Sequence, residues 1–164
     1  MTFCIEIANR QQALRVKIPA LRLLLAFFLS RATRHLPPSL QWGCVTAILV
    51  NDNTIRQYNR AVFRRDETTD VITQAYAPFP VEAHGLRAGE IVVNAQRAST
   101  LGPCYGGVAG ELALYLAHGV DHLTDADDAT PSGSRRMRQR ELRWCAAARH
   151  AGLLQDLLRS VPPC

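Results

Sequence analysis

His118 and His122 lie four residues apart in the stretch ELALYLAHGVDHLTDADD, from Glu111 to Asp128, and their types and spacing offer the most direct chemistry in the chain. On a helix, positions i and i+4 share one face, so both imidazoles can bind a single metal ion. Two histidines do not complete a site, and a third ligand has to come from beyond the helix. After Leu123 the polar run Thr124, Asp125, Ala126, Asp127, Asp128 ends the helix and can swing a carboxylate back, giving the pattern H-x3-H-x5-D. Asp128 closes that pattern, with Asp125 and Asp127 as alternatives if the turn is shaped differently. Glu111, seven residues before His118, falls near the same helical face. Paired helical histidines also occur as packed or solvent-facing side chains, and the spacing favours the metal reading over that one. A zinc peptidase of the H-E-x-x-H type needs Glu directly after the first His; Gly119 stands there, which sets that class aside.

The composition limits what carries these residues. A chain of 164 residues, 48% hydrophobic and 20% charged, is expected to be one soluble globular domain spanning 1–164. The net charge of +5 favours an acidic partner, and Lys17 is the only lysine among 19 basic residues. Arginine suits phosphate because its planar fork makes paired hydrogen bonds to phosphate oxygens; a basic surface in an arginine-preferring genome explains the same balance without a partner. Cys4, Cys44, Cys104, Cys145 and Cys164 form no CxxC pair, which points to reduced thiols and a cytoplasmic location. The apolar run Leu23 to Leu29 is too short to cross a bilayer and has no cleavage pattern behind it, so no membrane partner is expected.

The elements that must position the histidines follow from periodicity. Phe3, Ile5 and Ile7 alternate with polar neighbours as in a half-buried strand, and Asn9 to Gln12 turns the chain. A helix starts at Pro19, is apolar through Leu29 and ends before Pro37 and Pro38. Trp42 to Val50 reads as a strand buried on both faces. Asn51, Asp52 and Asn53 can cap a short helix to about Arg60, followed by a loop with Arg64, Arg65 and Asp66. Asp70 to Tyr76 and Ile91 to Val93 are two further strands, close enough to pair through a loop containing Pro78, Pro80, His84 and Gly85. Ala95 to Leu101 is a short helix, and Gly107 to Leu123 a long one, apolar nearly all round and so expected at the centre. A last helix starts at Thr130, capped by Ser132 or Ser134, and runs to Gly152 with Arg135, Arg136, Arg138, Arg140 and Arg143 on its polar side. His35, His84 and His150 stand apart as surface or loop residues, whereas Phe27, Phe28, Trp42 and Trp144 are expected in the core. The fold class expected is α+β, a four-stranded mixed sheet covered by helices.

Set in order, these pieces resemble the YbeY family of bacterial ribosomal RNA maturation factors. Its motif is similar to H-G-x-x-H-L-x-G-Y-D-H, matched by His118, Gly119, His122, Leu123 and Asp127. Glu111 ahead of the motif, and Met137 with Glu141 behind it, fall at family-like spacings. Asn59 followed by TDVIT (Thr69 to Thr73), and GEIVVN (Gly89 to Asn94), resemble two upstream segments of the family. Asp128 stands where the family has its third metal-binding histidine, Asp125 and Ala126 replace its Gly-Tyr pair, and Phe63 aligns with its arginine, with Arg64 and Arg65 just beyond.

The resemblance implies a metal-dependent endoribonuclease that cuts single-stranded RNA in ribosomal RNA maturation and ribosome quality control. It implies one divalent metal ion, zinc in the first place, on His118, His122 and Asp128. A carboxylate can replace imidazole as a zinc ligand, and two histidines with one carboxylate leave a position open for chemistry. Arg64 or Arg65 would neutralise charge on the phosphate, Glu111 would orient a ligating histidine, and Arg135, Arg136 and Arg138 would bind RNA. Partners implied are ribosomal or other single-stranded RNA and the small ribosomal subunit. The competing expectation is a non-catalytic RNA-binding assembly factor with a degenerate metal site.

Overall fold

A computed structural model describes residues 4–34, 36, 42–76 and 86–159. Phe3, His35, Pro37, Pro38, Pro78, Pro80, His84, Gly85 and Cys164, used in the reading above, lie outside them. The elements are β1 (Cys4–Asn9), α1 (Ile18–Ala32), β2 (Trp42–Val50), α2 (Asp52–Phe63), β3 (Val71–Tyr76), β4 (Arg87–Asn94), α3 (Ala95–Leu101), α4 (Val108–Leu123) and α5 (Pro131–His150), with a short 3-10 turn, Gly102–Cys104, between α3 and α4. The expected α+β class holds. The strands form one mixed sheet in the order β1-β2-β4-β3, parallel between β1 and β2 and between β2 and β4, and antiparallel between β3 and β4.

The continuous apolar run of β2 has its reason in two covered faces. Val45, Ala47 and Leu49 point into the main core, which α1, α4 and α5 complete, while Ile48 and Val50 point the other way and meet Ile55 of α2 with Ile72 and Val92. In α1, Leu21, Leu24, Leu25, Phe28 and Leu29 repeat at helical spacing and are fully buried, each contributing roughly 1.5–3 kcal/mol by leaving water. Pro19 fits the first turn of that helix, where its missing N–H costs nothing.

α4 is the central helix, as its composition predicts, with apolar residues buried on every side from Leu112 to Leu123. Gly119 lets it approach the sheet: a Cβ there would come within 2.5 Å of Ile91 Cγ2 and 3.0 Å of Val71 Cγ2. The freed space brings the Thr73 hydroxyl of β3 to the Gly119 carbonyl at 3.3 Å, fixing the height of α4 on the strands.

Several boundaries differ from expectation. β4 begins at Arg87 instead of Ile91, because Arg87 to Glu90 also pair with β2, and Ala88 to Glu90 with β3, even though their polar and small side chains give no strand signal. α2 runs on to Phe63, past Arg60, and stops where Arg64 takes a left-handed backbone, φ 58°. Thr130 caps α5, not Ser132 or Ser134; with Pro131 in the first turn the cap falls one residue before it, and the Thr130 hydroxyl accepts the Gly133 N–H at 3.0 Å.

Candidate metal centre

His118 and His122 sit on the C-terminal half of α4 with their Nε2 atoms 3.2 Å apart. The other nitrogen of each ring has an acceptor: His118 Nδ1 lies 2.6 Å from Glu141 Oε1, and His122 Nδ1 3.2 Å from the Ala126 carbonyl. In the neutral rings these acceptors hold the Nδ1 protons, so both Nε2 lone pairs face each other with no proton between them. Two lone pairs at that distance repel, and a single cation placed between them removes the repulsion.

The third donor comes from the turn after α4. Asp128 Oδ2 lies 3.7 Å from His122 Nε2 and 4.0 Å from His118 Nε2. Ligands about 2.0–2.1 Å from a tetrahedral zinc are separated from one another by about 3.3 Å, so these three atoms need only a small contraction to share an ion. The donor set of two imidazoles and one carboxylate fits a divalent metal and leaves coordination positions free. Asp125 and Asp127 are otherwise engaged: Asp125 Oδ2 pairs with Arg87 at 3.1 Å, and Asp127 Oδ1 accepts the Ala129 N–H at 2.8 Å. Asp125 also takes φ 59°, a conformation that Gly adopts freely and Asp tolerates better than most, which accounts for a Gly at this point in the motif it resembles.

Electrostatics in the cleft favour a cation. Asp70, Asp128 and Glu141 line it together with His118, Tyr115, Ser134 and Arg138. Burial alone would lower the His118 pKa, but the Glu141 hydrogen bond and the charges of Glu141, Asp70 and Asp128 outweigh it and raise the group above the ordinary histidine range. Burial and the neighbouring Glu111 push the Tyr115 phenol well above its usual value.

Glu111 does not touch either histidine. Two helical turns separate it from His118, about 10 Å along the axis, so sharing a face does not bring it into contact, and its carboxylate lies beside Tyr115 instead. The carboxylate that holds His118 is Glu141 of α5, 2% exposed. It was legible in part, through its spacing in the motif; it is the only acidic residue of α5 and lies on the buried face with Met137 and Ala148. Arg64 and Arg65 do not line the cleft: Arg64 ends α2, and Arg65 lines a separate hollow with Phe63, Glu67 and Thr69. Arg138 does line it, 4.0 Å from Glu141 Oε2. Arg135 and Arg136 are exposed on other sides of α5. Asp121, between the two histidines in sequence, points away from them, is fully buried and is held by Arg140 Nη2 at 2.7 Å and Nε at 2.9 Å.

Comparison with known proteins adds a family. The model of the family described as Endoribonuclease YbeY matches residues 6–148. A protein named Endoribonuclease YbeY from Anaeromyxobacter dehalogenans is 33% identical over 119 residues, covering 70% of this chain and 58% of that relative. One of the same name from Elusimicrobium minutum is 40% identical over 91 residues, 54% of this chain and 63% of the relative. The chain thus spans less than two thirds of the length of these relatives. The solution structure of a Thermotoga maritima protein superposes with a TM-score of 0.56 at 18% identity, covering 98% of this chain and 99% of that one, which is a likeness of fold.

Proposed function

Since the chain belongs to the YbeY family, we propose that it is a metal-dependent endoribonuclease, cutting single-stranded RNA during ribosomal RNA maturation and ribosome quality control in the cytoplasm. The observation that carries this reading is the pair of opposed Nε2 atoms with the Asp128 carboxylate 3.7–4.0 Å away. A divalent ion bound there, zinc being favoured by the nitrogen donors, supplies Lewis acidity to a phosphoryl oxygen and lowers the pKa of a bound water.

The chain's own residues prepare that chemistry. Glu141 and the Ala126 carbonyl fix the tautomers, so that Nε2 is the free donor on both rings. The left-handed step at Asp125 lies in the turn that brings the Asp128 carboxylate within 3.7–4.0 Å of both histidines. Arg138, on the rim of the cleft, is the cation best placed to accept a phosphate and hold it as charge builds. No helix among the described residues is long and apolar enough to cross a membrane.

Elemental analysis of protein purified without chelator, with cleavage of a labelled single-stranded RNA, tests the proposal. Wild type should carry close to one metal per chain and lose cleavage on chelation. His118→Ala should lose both metal and activity, and Asp128→His should keep or raise zinc content. Equal metal in wild type and His118→Ala would sink the site. RNA binding with neither metal nor cleavage would favour the non-catalytic assembly factor.

A further inference from the structure

A second depression lies across α5 from the metal cleft, between that helix and the C-terminal end of α1. It encloses about 610 Å³ and is lined by five arginines, Arg31, Arg34, Arg136, Arg140 and Arg143, against two aspartates, Asp121 and Asp127. Asp121 and Arg140 neutralise each other in their ion pair, which leaves Arg31, Arg34, Arg136 and Arg143 against the single charge of Asp127, so the groove keeps a net positive charge. Arg31 is held in place before any ligand arrives: its guanidinium carbon sits 4.4 Å over the Phe27 ring, and its buried Nε has no hydrogen-bond partner among the described residues.

Helical spacing joins this groove to the metal cleft. Ser134, Arg138 and Glu141 of α5 face the cleft, whereas Arg136, Arg140 and Arg143 face the groove, and Met137 touches both. The turn before α5 divides in the same way, Asp127 lining the groove and Asp128 the cleft. Gly133 keeps that divide low, since a Cβ there would run into the Asp127 carbonyl and the Thr130 hydroxyl. The two depressions are therefore separated by little more than the width of one helix, about 10 Å.

We propose that the arginine groove between α1 and α5 holds the backbone phosphates of the single-stranded RNA whose neighbouring segment lies in the metal cleft, the strand crossing the first turn of α5. The inference rests on reading the cleft as the place where RNA is cut. Successive phosphates need several cations spaced along a channel, and the planar forks of the exposed Arg34, Arg136 and Arg143 meet that need without selecting a base sequence.

The test measures affinity by fluorescence anisotropy over a range of salt, using a dinucleotide that reaches only the cleft and an oligouridylate long enough to cross α5. The variants are the double substitution Arg136→Ala with Arg143→Ala, both exposed so that folding is spared, and a control of equal charge loss outside the groove, Arg22→Ala with Arg149→Ala. For the long strand the groove variant should show a salt slope shallower by about 1.4, roughly 0.7 for each phosphate contact removed. Its affinity for the dinucleotide should change far less. The control should keep the wild-type slope.

Equal losses in both double variants, no binding of the long strand by wild type, or equal binding of phosphatidylserine vesicles would overturn the groove. Cleavage of the same oligouridylate separates the two readings. Cutting with an unchanged slope sinks the groove and keeps the nuclease; an altered slope without cutting keeps the groove and sinks the nuclease.

Discussion

Glu141 holds the Nδ1 side of His118, and its removal should be felt at the opposite nitrogen. In metal-free protein followed by NMR, the His118 imidazole should titrate above the ordinary histidine range, and Glu141→Gln should bring it down. The sign follows from linkage: the folded pKa is raised, so the His118–Glu141 pair contributes its full stability below the unfolded value of about 6.5 and loses it as pH rises through the raised folded value. In the same variant, zinc affinity should fall by about 10- to 100-fold, since the carboxylate that orients the ring also strengthens it as a ligand. An unchanged titration would mean that the short Glu141 contact does not exist in solution. The histidine pair and Asp128 could be picked out from sequence because they lie within one helix and the turn after it. Glu141 stood out in the sequence only through its spacing in the motif it resembles; its partner lies 23 residues away on another element, and periodicity within one helix cannot supply that pairing.

Helices α4 and α5 are joined by two polar ties on opposite sides, His118 to Glu141 and Asp121 to Arg140. Burial raises the Asp121 pKa and Arg140 works against that rise, so removing the arginine strands a desolvated carboxylate. Arg140→Ala should therefore cost about 3–5 kcal/mol in urea denaturation, while Asp121→Leu combined with Arg140→Leu should cost much less, because no charge is then left without its partner. A double variant as unstable as the single one would show that the tie is worth more than its desolvation. The elements themselves were legible where a single period held: alternation in β1, two-sided apolarity in β2, the all-round apolar face of α4. The start of β4 was not, since residues 87–90 owe their extended form to β2 on one side and, from Ala88 on, to β3 on the other, and not to their own side chains.

At the scale of the molecule, a bound metal should act as a stabilising ligand. Zinc at about 100 times its dissociation constant adds roughly 2.7 kcal/mol. For a chain of this size that means a rise in melting temperature of roughly 5–11 °C, absent in His118→Ala. No such difference on heating with zinc or with chelator would count against the site. The stabilisation should also be unevenly distributed. The sheet and α4 bury their apolar residues independently of the ion, whereas α5 contributes only Gly133, Met137, Glu141 and Ala148 as buried residues. Its docking leans on polar ties, one of which ends on His118. Amide hydrogen exchange should then report α5 as a separate cooperative unit that opens before the sheet does, slowed by zinc while amides in β2 and β4 are unaffected. Such an opening would take Glu141 away from the His118 ring and Arg138 from the cleft rim in a single movement, so the helix that backs the candidate metal centre would also be the latch that lets a bound ion go.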